Sequence, residues 1–170
     1  MRSAALSWHL RWLALFLLGS FAAAAVGGLA TATALPTWYR RLRKPNWNPP
    51  DGVFGPVWTV LYVLMAVAAW LVRRGMGTRP AERRAGRFAL KLWWIQLVLN
   101  LGWSLAFFGR RRPDWGLAVI GLLELAIVAT TLAAVRVSPL AAALLTPYVL
   151  WTGFASILNF RIWRLNRRPT

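Results

Sequence analysis

Cysteine is absent from the 170 residues, histidine occurs once and only four residues are Asp or Glu. Without cysteine there is no disulfide framework, no thiolate metal site and no cysteine nucleophile. The chain therefore carries no mark of its redox compartment. One histidine and four acids leave no Ser-His-Asp set, no facing carboxylates and no metal-ligand cluster. A Walker-type phosphate loop is missing as well. Conventional hydrolysis and phosphoryl transfer have no residues to run on, and no metal is expected.

What is present lies at the opposite extreme. Hydrophobic residues make up 58%, mean hydropathy is +0.49, and 21 Lys and Arg give a formal charge of +17. Soluble domains sit near about 45–50% apolar. So apolar a chain is not disordered. It is either a membrane protein with cationic loops or a basic nucleic-acid binder with a large core. Its length predicts one domain, residues 1–170.

The placement of charge decides between the two. Residues 12–35, 52–72, 92–109 and 137–160 hold no charge, and 115–135 hold only Glu124. About 20 apolar residues at ~1.5 Å rise cross a hydrocarbon core of ~30 Å. The runs predict an all-α bundle of five transmembrane helices at about 12–35, 52–72, 90–109, 115–135 and 138–161. No linker is long enough to be a nucleic-acid-binding domain, so no nucleic-acid partner is expected. An alternative for the first run is a cleaved signal peptide, with Arg2 and Arg11 before it and Ala22–Ala25 as a small-residue site. That reading leaves four helices.

The cations mark the loops. Loop one, residues 36–51, is basic and rich in Pro and Trp, and its prolines argue against a regular helix. Further clusters fall at 73–87, 109–114 and Arg136, and the tail carries Arg161, Arg164, Arg167 and Arg168. Asp114 is the expected N-cap of span four, and Ser138 with Pro139 starts span five. Pro56 is placed in the first turn of span two, and Pro147 predicts a kink in span five. Five spans divide the cations ten against eleven between the two faces, so charge assigns no orientation. Most of them read as anchors to lipid phosphates.

Polar residues inside spans normally face a bundle interior. Gln96, Asn100 and Trp103 share one helical face; so do Trp58, Tyr62, Met65 and Ala69. A third face carries Tyr148, Trp151 or Thr152, Ser156 and Asn159. Three such stripes suit either a pocket for a large, flat, apolar ligand or helix packing with interhelical hydrogen bonds. Trp8, Trp12, Trp38, Trp47, Trp115 and Trp163 lie near span ends, as an interfacial belt does. Trp103 and Trp151 lie deeper, with Trp58 between. Glu124 is either a proton or cation-coupling site or a neutral hydrogen-bonded acid. His9, the only histidine, reads as an interfacial residue.

Loop one and its neighbours carry a resemblance. Trp38-Tyr39-x-x-Leu42-x-Lys44-Pro45-x-Trp47-x-Pro49-Pro50 is followed by Phe54-Gly55-Pro56-Val57-Trp58-x-x-Leu61-Tyr62-x-x-Met65. Gln96-Leu97-x-x-Asn100-x-x-Trp103, Phe107-Phe108-Gly109, Val137-Ser138-Pro139, Pro147-Tyr148-x-x-Trp151 and Leu158-Asn159 follow in order. Over residues 15–166 this resembles the translocator protein (TspO/MBR) family, also called the tryptophan-rich sensory protein or peripheral benzodiazepine receptor family.

The resemblance implies a five-helix bundle, often a homodimer, in a membrane, with a bacterial cell membrane favoured. It implies a receptor or sensor for porphyrins, and for sterols or benzodiazepine-type ligands, with a role in their transport or regulation. No cofactor is required; protoporphyrin IX or haem is the expected ligand. By position the pocket would be lined by Trp38, Trp47, Trp58, Tyr62, Asn100, Trp103, Tyr148, Trp151, Ser156 and Asn159, with loop one as a lid. Aromatic rings hold a tetrapyrrole by stacking, and Arg40, Arg41 or Arg43 would meet its propionates. Two alternatives remain: a light-dependent porphyrin-degrading enzyme with Trp58 and Trp151 as electron donors, and a small transporter coupled through Glu124. At the sterol-motif positions Phe160 and Arg164, this chain has Phe where cholesterol-binding members have Tyr, which removes a hydroxyl. The generic sterol pattern also matches Leu35-x-x-x-Tyr39-x-Arg41.

Overall fold

The computed structural model describes residues 2–77 and 79–167, with side-chain burial given from Trp8 onward apart from residue 78. Arg168 lies outside the described residues. Five α-helices follow one another: α1 (Arg2–Ala34), α2 (Asp51–Gly75), α3 (Pro80–Ser104), α4 (Pro113–Val135) and α5 (Pro139–Asn166). Among the described residues there is no strand. All five are long and apolar enough to cross a membrane.

Each helix outruns its uncharged stretch, because composition marks only the part that suits hydrocarbon. Thus α3 begins ten residues before the expected 90, among arginines, and α5 continues past 161 to Asn166. Three starts use proline at the first helical position, Pro80, Pro113 and Pro139, where a missing N–H costs nothing. Ser138 caps α5 as expected, its Oγ accepting from the Ala141 N–H at 3.2 Å. Asp114 does not cap α4. It lies inside the first turn and accepts from the Arg112 guanidinium at 2.9 and 2.6 Å, while Arg112 holds the N-cap position without a side-chain cap. Pro56 is the sixth residue of α2 rather than part of its first turn, and α5 runs unbroken through Pro147.

Loop one also differs. The helix does not stop at Pro36 but widens into a π-turn, Leu35–Tyr39, and stays helical to Arg41. A proline cannot donate back along the α ladder, and a π-turn is a common place to absorb such a defect. A second π-turn, Leu105–Gly109, ends α3 on the same face of the bundle. Arg111, which follows it, adopts φ +55°, the left-handed conformation that closes helix C-termini.

Helix neighbours form a closed ring in the order α1, α2, α5, α4, α3 and back to α1. Its outside is apolar. Leu18, Val60, Val98, Leu125 and Leu150 project from all five helices and are more than half exposed. Gln96, Asn100, Thr152 and Asn159 are buried. Polar residues inside and leucines outside is the arrangement that lipid demands. Indole N–H groups tie helices together: Trp93 Nε1 donates to the Met65 carbonyl at 3.0 Å, and Trp70 Nε1 to the His9 carbonyl at 3.1 Å.

Candidate functional site

The two π-turns aim aromatic rings at each other. Trp38 meets Phe107 edge-on at 5.5 Å between centroids, and Tyr39 lies 5.7 Å from Phe108. Loop one continues from them and is fastened at several points. The Tyr39 hydroxyl donates to Asn48 Oδ1 at 2.9 Å, and Asn48 Nδ2 donates to the Pro49 carbonyl at 2.8 Å. Lys44 Nζ sits 4.6 Å from the Tyr39 ring centroid. At the end of α5, Asn166 reads the loop backbone as a neighbouring strand would. Its Oδ1 accepts from the Arg43 N–H at 3.0 Å, and its Nδ2 donates to the Arg43 carbonyl at 2.9 Å.

Below this strap lies a cavity of about 620 Å³, within the usual range of about 300–1,000 Å³ for small-molecule sites. One wall is α1, where Ala24, Ala25, Gly27 and Gly28 leave room that larger side chains would fill. The α2 wall carries Phe54, Trp58 and Tyr62; α3 and its π-turn supply Trp103, Phe107 and Phe108. The rings run on from one another: Trp58 is 5.8 Å from Tyr62 and 5.9 Å from Trp103, in tilted arrangements. From α5 come Ala155, Leu158, Asn159 and Ile162. The lining contains a single acid, Asp51, which is exposed where loop one enters α2.

A chain of buried hydrogen bonds stands behind the aromatic wall. The Tyr62 hydroxyl donates to Asn100 Oδ1 at 2.6 Å, Asn100 Nδ2 donates to the Tyr148 oxygen at 3.0 Å, and the Tyr148 hydroxyl donates to Gln96 Oε1 at 2.9 Å. It joins α2, α3 and α5. A second link fixes the cavity's far side. Trp103 Nε1 donates to Asn159 Oδ1 at 3.1 Å, and Asn159 Nδ2 donates to the Pro113 carbonyl at 2.7 Å. Gly116 leaves the space that this link needs, since a Cβ there would lie 3.0 Å from both Asn159 Oδ1 and Phe107.

The structure brings together some of the residues singled out from sequence and separates others. Trp58, Tyr62, Trp103 and Asn159 line the cavity. Asn100 and Tyr148 are buried behind it and hold its wall. Trp38 packs on Phe107 at the mouth without joining the lining. Trp47 and Trp151 belong to a neighbouring aromatic group: Trp47 lies 5.8 Å from Phe154, and Trp151 lies 5.5 Å from Phe154 and 6.1 Å from Phe54. Of the two proposed electron donors, only Trp58 therefore faces the cavity directly. Ser156 spends its hydroxyl on the Thr152 carbonyl at 2.8 Å. Phe160 is 38% exposed, stacks against Trp163 and carries Arg164 over its ring, on the outside of α5. Glu124 does not join the lining; it sits in the α4–α5 contact next to Gly153, with Oε2 shielded and unpartnered among the described residues.

Sequence reasoning missed the α1 wall, Phe107, Leu158, Ile162 and Asp51. The run from Ala22 to Gly28 held the signal for the first of these. Such a density of small residues in a membrane helix is what close packing or a cavity wall requires, but it also resembles a cleavage site. Among the described residues no three His, Cys, Asp or Glu groups converge to hold a metal.

Residues 14–164 match the model of the TspO/MBR family. The chain is 48% identical over 143 residues to the "Tryptophan-rich protein TspO" of Chlorobaculum tepidum, covering 82% of this chain and 88% of that protein. Against the human "Translocator protein" identity is 44% over 131 residues, covering 76% and 75%. A "Tryptophan-rich sensory protein" of Cereibacter sphaeroides is 40% identical over 150 residues, covering 86% and 90%. With its five apolar helices ringed about an aromatic cavity, this chain belongs to the TspO/MBR family of membrane proteins.

Proposed function

We propose that this chain is a membrane receptor or sensor for a tetrapyrrole such as protoporphyrin IX or haem, held in the cavity beneath loop one. One observation carries the reading: an apolar cavity of about 620 Å³ whose inner wall is a run of adjoining rings, Trp58, Tyr62 and Trp103. A porphyrin is a large π surface, and offset or tilted rings at 4.5–7 Å are how proteins hold one without a covalent bond. Arg40 and Arg41 are exposed and directly follow Tyr39, which lines the cavity; they are the cations we assign to the propionates of a bound ring. Membrane lipid and a second copy of the chain are the partners proposed with it, in a bacterial cell membrane.

The test is titration of detergent-purified protein with protoporphyrin IX, followed by tryptophan fluorescence. Saturable quenching is expected, weakened about tenfold by Trp103→Ala or Trp58→Ala, in the range that stacking and burial of one ring contribute. Trp151→Phe, one ring removed from the cavity, is expected to change affinity much less. Linear quenching that ignores all three substitutions would sink the proposal.

A further inference from the structure

The opposite face of the bundle, away from loop one, carries a second concavity. It is formed by the first turns of α3 and the C-terminal end of α4, with a volume of about 820 Å³. Arg83, Arg84, Arg87 and Arg136 line it together with Ala85 and Phe88. No acid contributes to the lining; the nearby Glu82 is taken by Arg79 at 3.4 Å. Among the described residues the four guanidiniums make neither an ion pair nor a side-chain hydrogen bond, and all four residues are exposed. Like charges gathered from two helices repel one another unless an anion lies between them.

Depth identifies the kind of anion. From Pro80 to Gly109, α3 and its π-turn cover 30 residues, about 45 Å at α-helical rise, whereas the hydrocarbon core is about 30 Å thick. The uncharged part begins at Leu92, so Arg83, Arg84 and Arg87 stand at the headgroup level. Phe88 and Ile95 continue from them on the lipid-facing side of α3, 56% and 50% exposed. Guanidiniums above and an exposed apolar strip below match a phosphate headgroup with acyl chains. Arginine also suits phosphate in particular, through paired N–H donors.

We propose that the Arg83–Arg84–Arg87–Arg136 concavity is a binding site for an anionic phospholipid, independent of whatever occupies the aromatic cavity. The experiment uses the full chain in neutral detergent, titrated with phosphatidylglycerol, phosphatidylcholine or inorganic phosphate, with retained lipid counted by native mass spectrometry. Phosphatidylglycerol is expected to bind in preference to phosphatidylcholine. In the triple variant R84Q/R87Q/R136Q that preference should fall about a hundredfold, at roughly fivefold per guanidinium. The matched variant R110Q/R111Q/R161Q removes the same charge from the other face and should keep the preference. R84K/R87K/R136K, which retains charge but loses the paired donors, should fall between, and helical circular dichroism confirms folding of all three. Equal loss in the matched variant would overturn the proposal, leaving only net charge. Displacement of the lipid by millimolar inorganic phosphate would overturn it in favour of a free-anion site, and equal binding of the two lipids would remove it altogether.

Discussion

Asn100 offers the sharpest separation between a residue that touches ligand and one that holds the wall. It accepts from Tyr62 at 2.6 Å and donates to Tyr148 at 3.0 Å, is fully buried, and does not line the cavity. Asn100→Leu keeps approximate volume, removes both bonds and orphans the Tyr62 hydroxyl; Tyr148 still donates to Gln96 at 2.9 Å. A buried polar group left unpaired costs about 1–3 kcal/mol, and an ordinary bond contributes about 1. The single substitution is therefore expected to destabilise by about 2–4 kcal/mol. Tyr62→Phe keeps the ring in the cavity wall and loses only the hydroxyl, at about 1–2 kcal/mol. Coupling energies between polar pairs in membrane bundles average about 0.6 kcal/mol and reach about 1.7. Short and shielded, this pair is expected near the upper end.

The assay is a double-mutant cycle on Tyr62→Phe and Asn100→Leu, with unfolding in mixed micelles followed by circular dichroism. Protoporphyrin affinity is measured on the same samples under folding conditions. Coupling of about 1–1.7 kcal/mol, with affinity of the folded protein changed less than about threefold, is the expected result. Additive losses within the usual ~0.3–0.5 kcal/mol of independent sites would refute the network. Abolished binding in a fully stable Asn100→Leu protein would instead make Asn100 a direct ligand contact.

Other perturbations follow from single contacts. Asp51, the sole acid in the cavity lining, should repel a propionate; Asp51→Asn is expected to tighten protoporphyrin IX by about two- to fivefold at low salt, and to leave its uncharged dimethyl ester unaffected. Parallel fluorescence titrations check this, and equal gains for both ligands would remove the charge argument. Asn166→Ala deletes the two bonds that strap loop one at Arg43; at ~0.5–1.5 kcal/mol per bond, or about 1–3 kcal/mol for the pair, stopped-flow release of bound porphyrin should quicken about fivefold at the least and up to about a hundredfold. An unchanged release rate would mean that loop one does not limit exit. Gly116→Ala places a methyl group 3.0 Å from Asn159 and Phe107, and overpacking of this kind costs about 1–3 kcal/mol. A lower melting temperature in scanning fluorimetry is expected; an unchanged one would show that the Trp103–Asn159–Pro113 link yields freely.

Five helices, their apolar exteriors and their buried polar stripes were legible in the chain because lipid imposes rules that act residue by residue. A span needs about 20 uncharged apolar residues, and a polar group within it must turn inward. Hence Gln96, Asn100, Tyr148 and Asn159 could be assigned to the interior from spacing alone, and each is buried. Spacing fixes direction about one helix axis only. Which inward-facing groups meet a cavity and which meet each other depends on how five axes pack, and α-helical periodicity carries no term for that. Trp58 and Trp151 look equivalent in their stripes, yet Phe54 stands next to Trp151 and itself faces the cavity. The Pro36 π-turn, the Asn166 clasp on Arg43 and the arginine concavity between α3 and α4 join residues from 4 to 123 positions apart. Local preferences argued for a break at Pro36, and packing against Phe107 and Phe108 carries the helix through it. Composition and helical spacing thus set the solvent in which this chain folds and which side of each helix faces it. Where the bundle leaves room follows from how the five axes pack against one another.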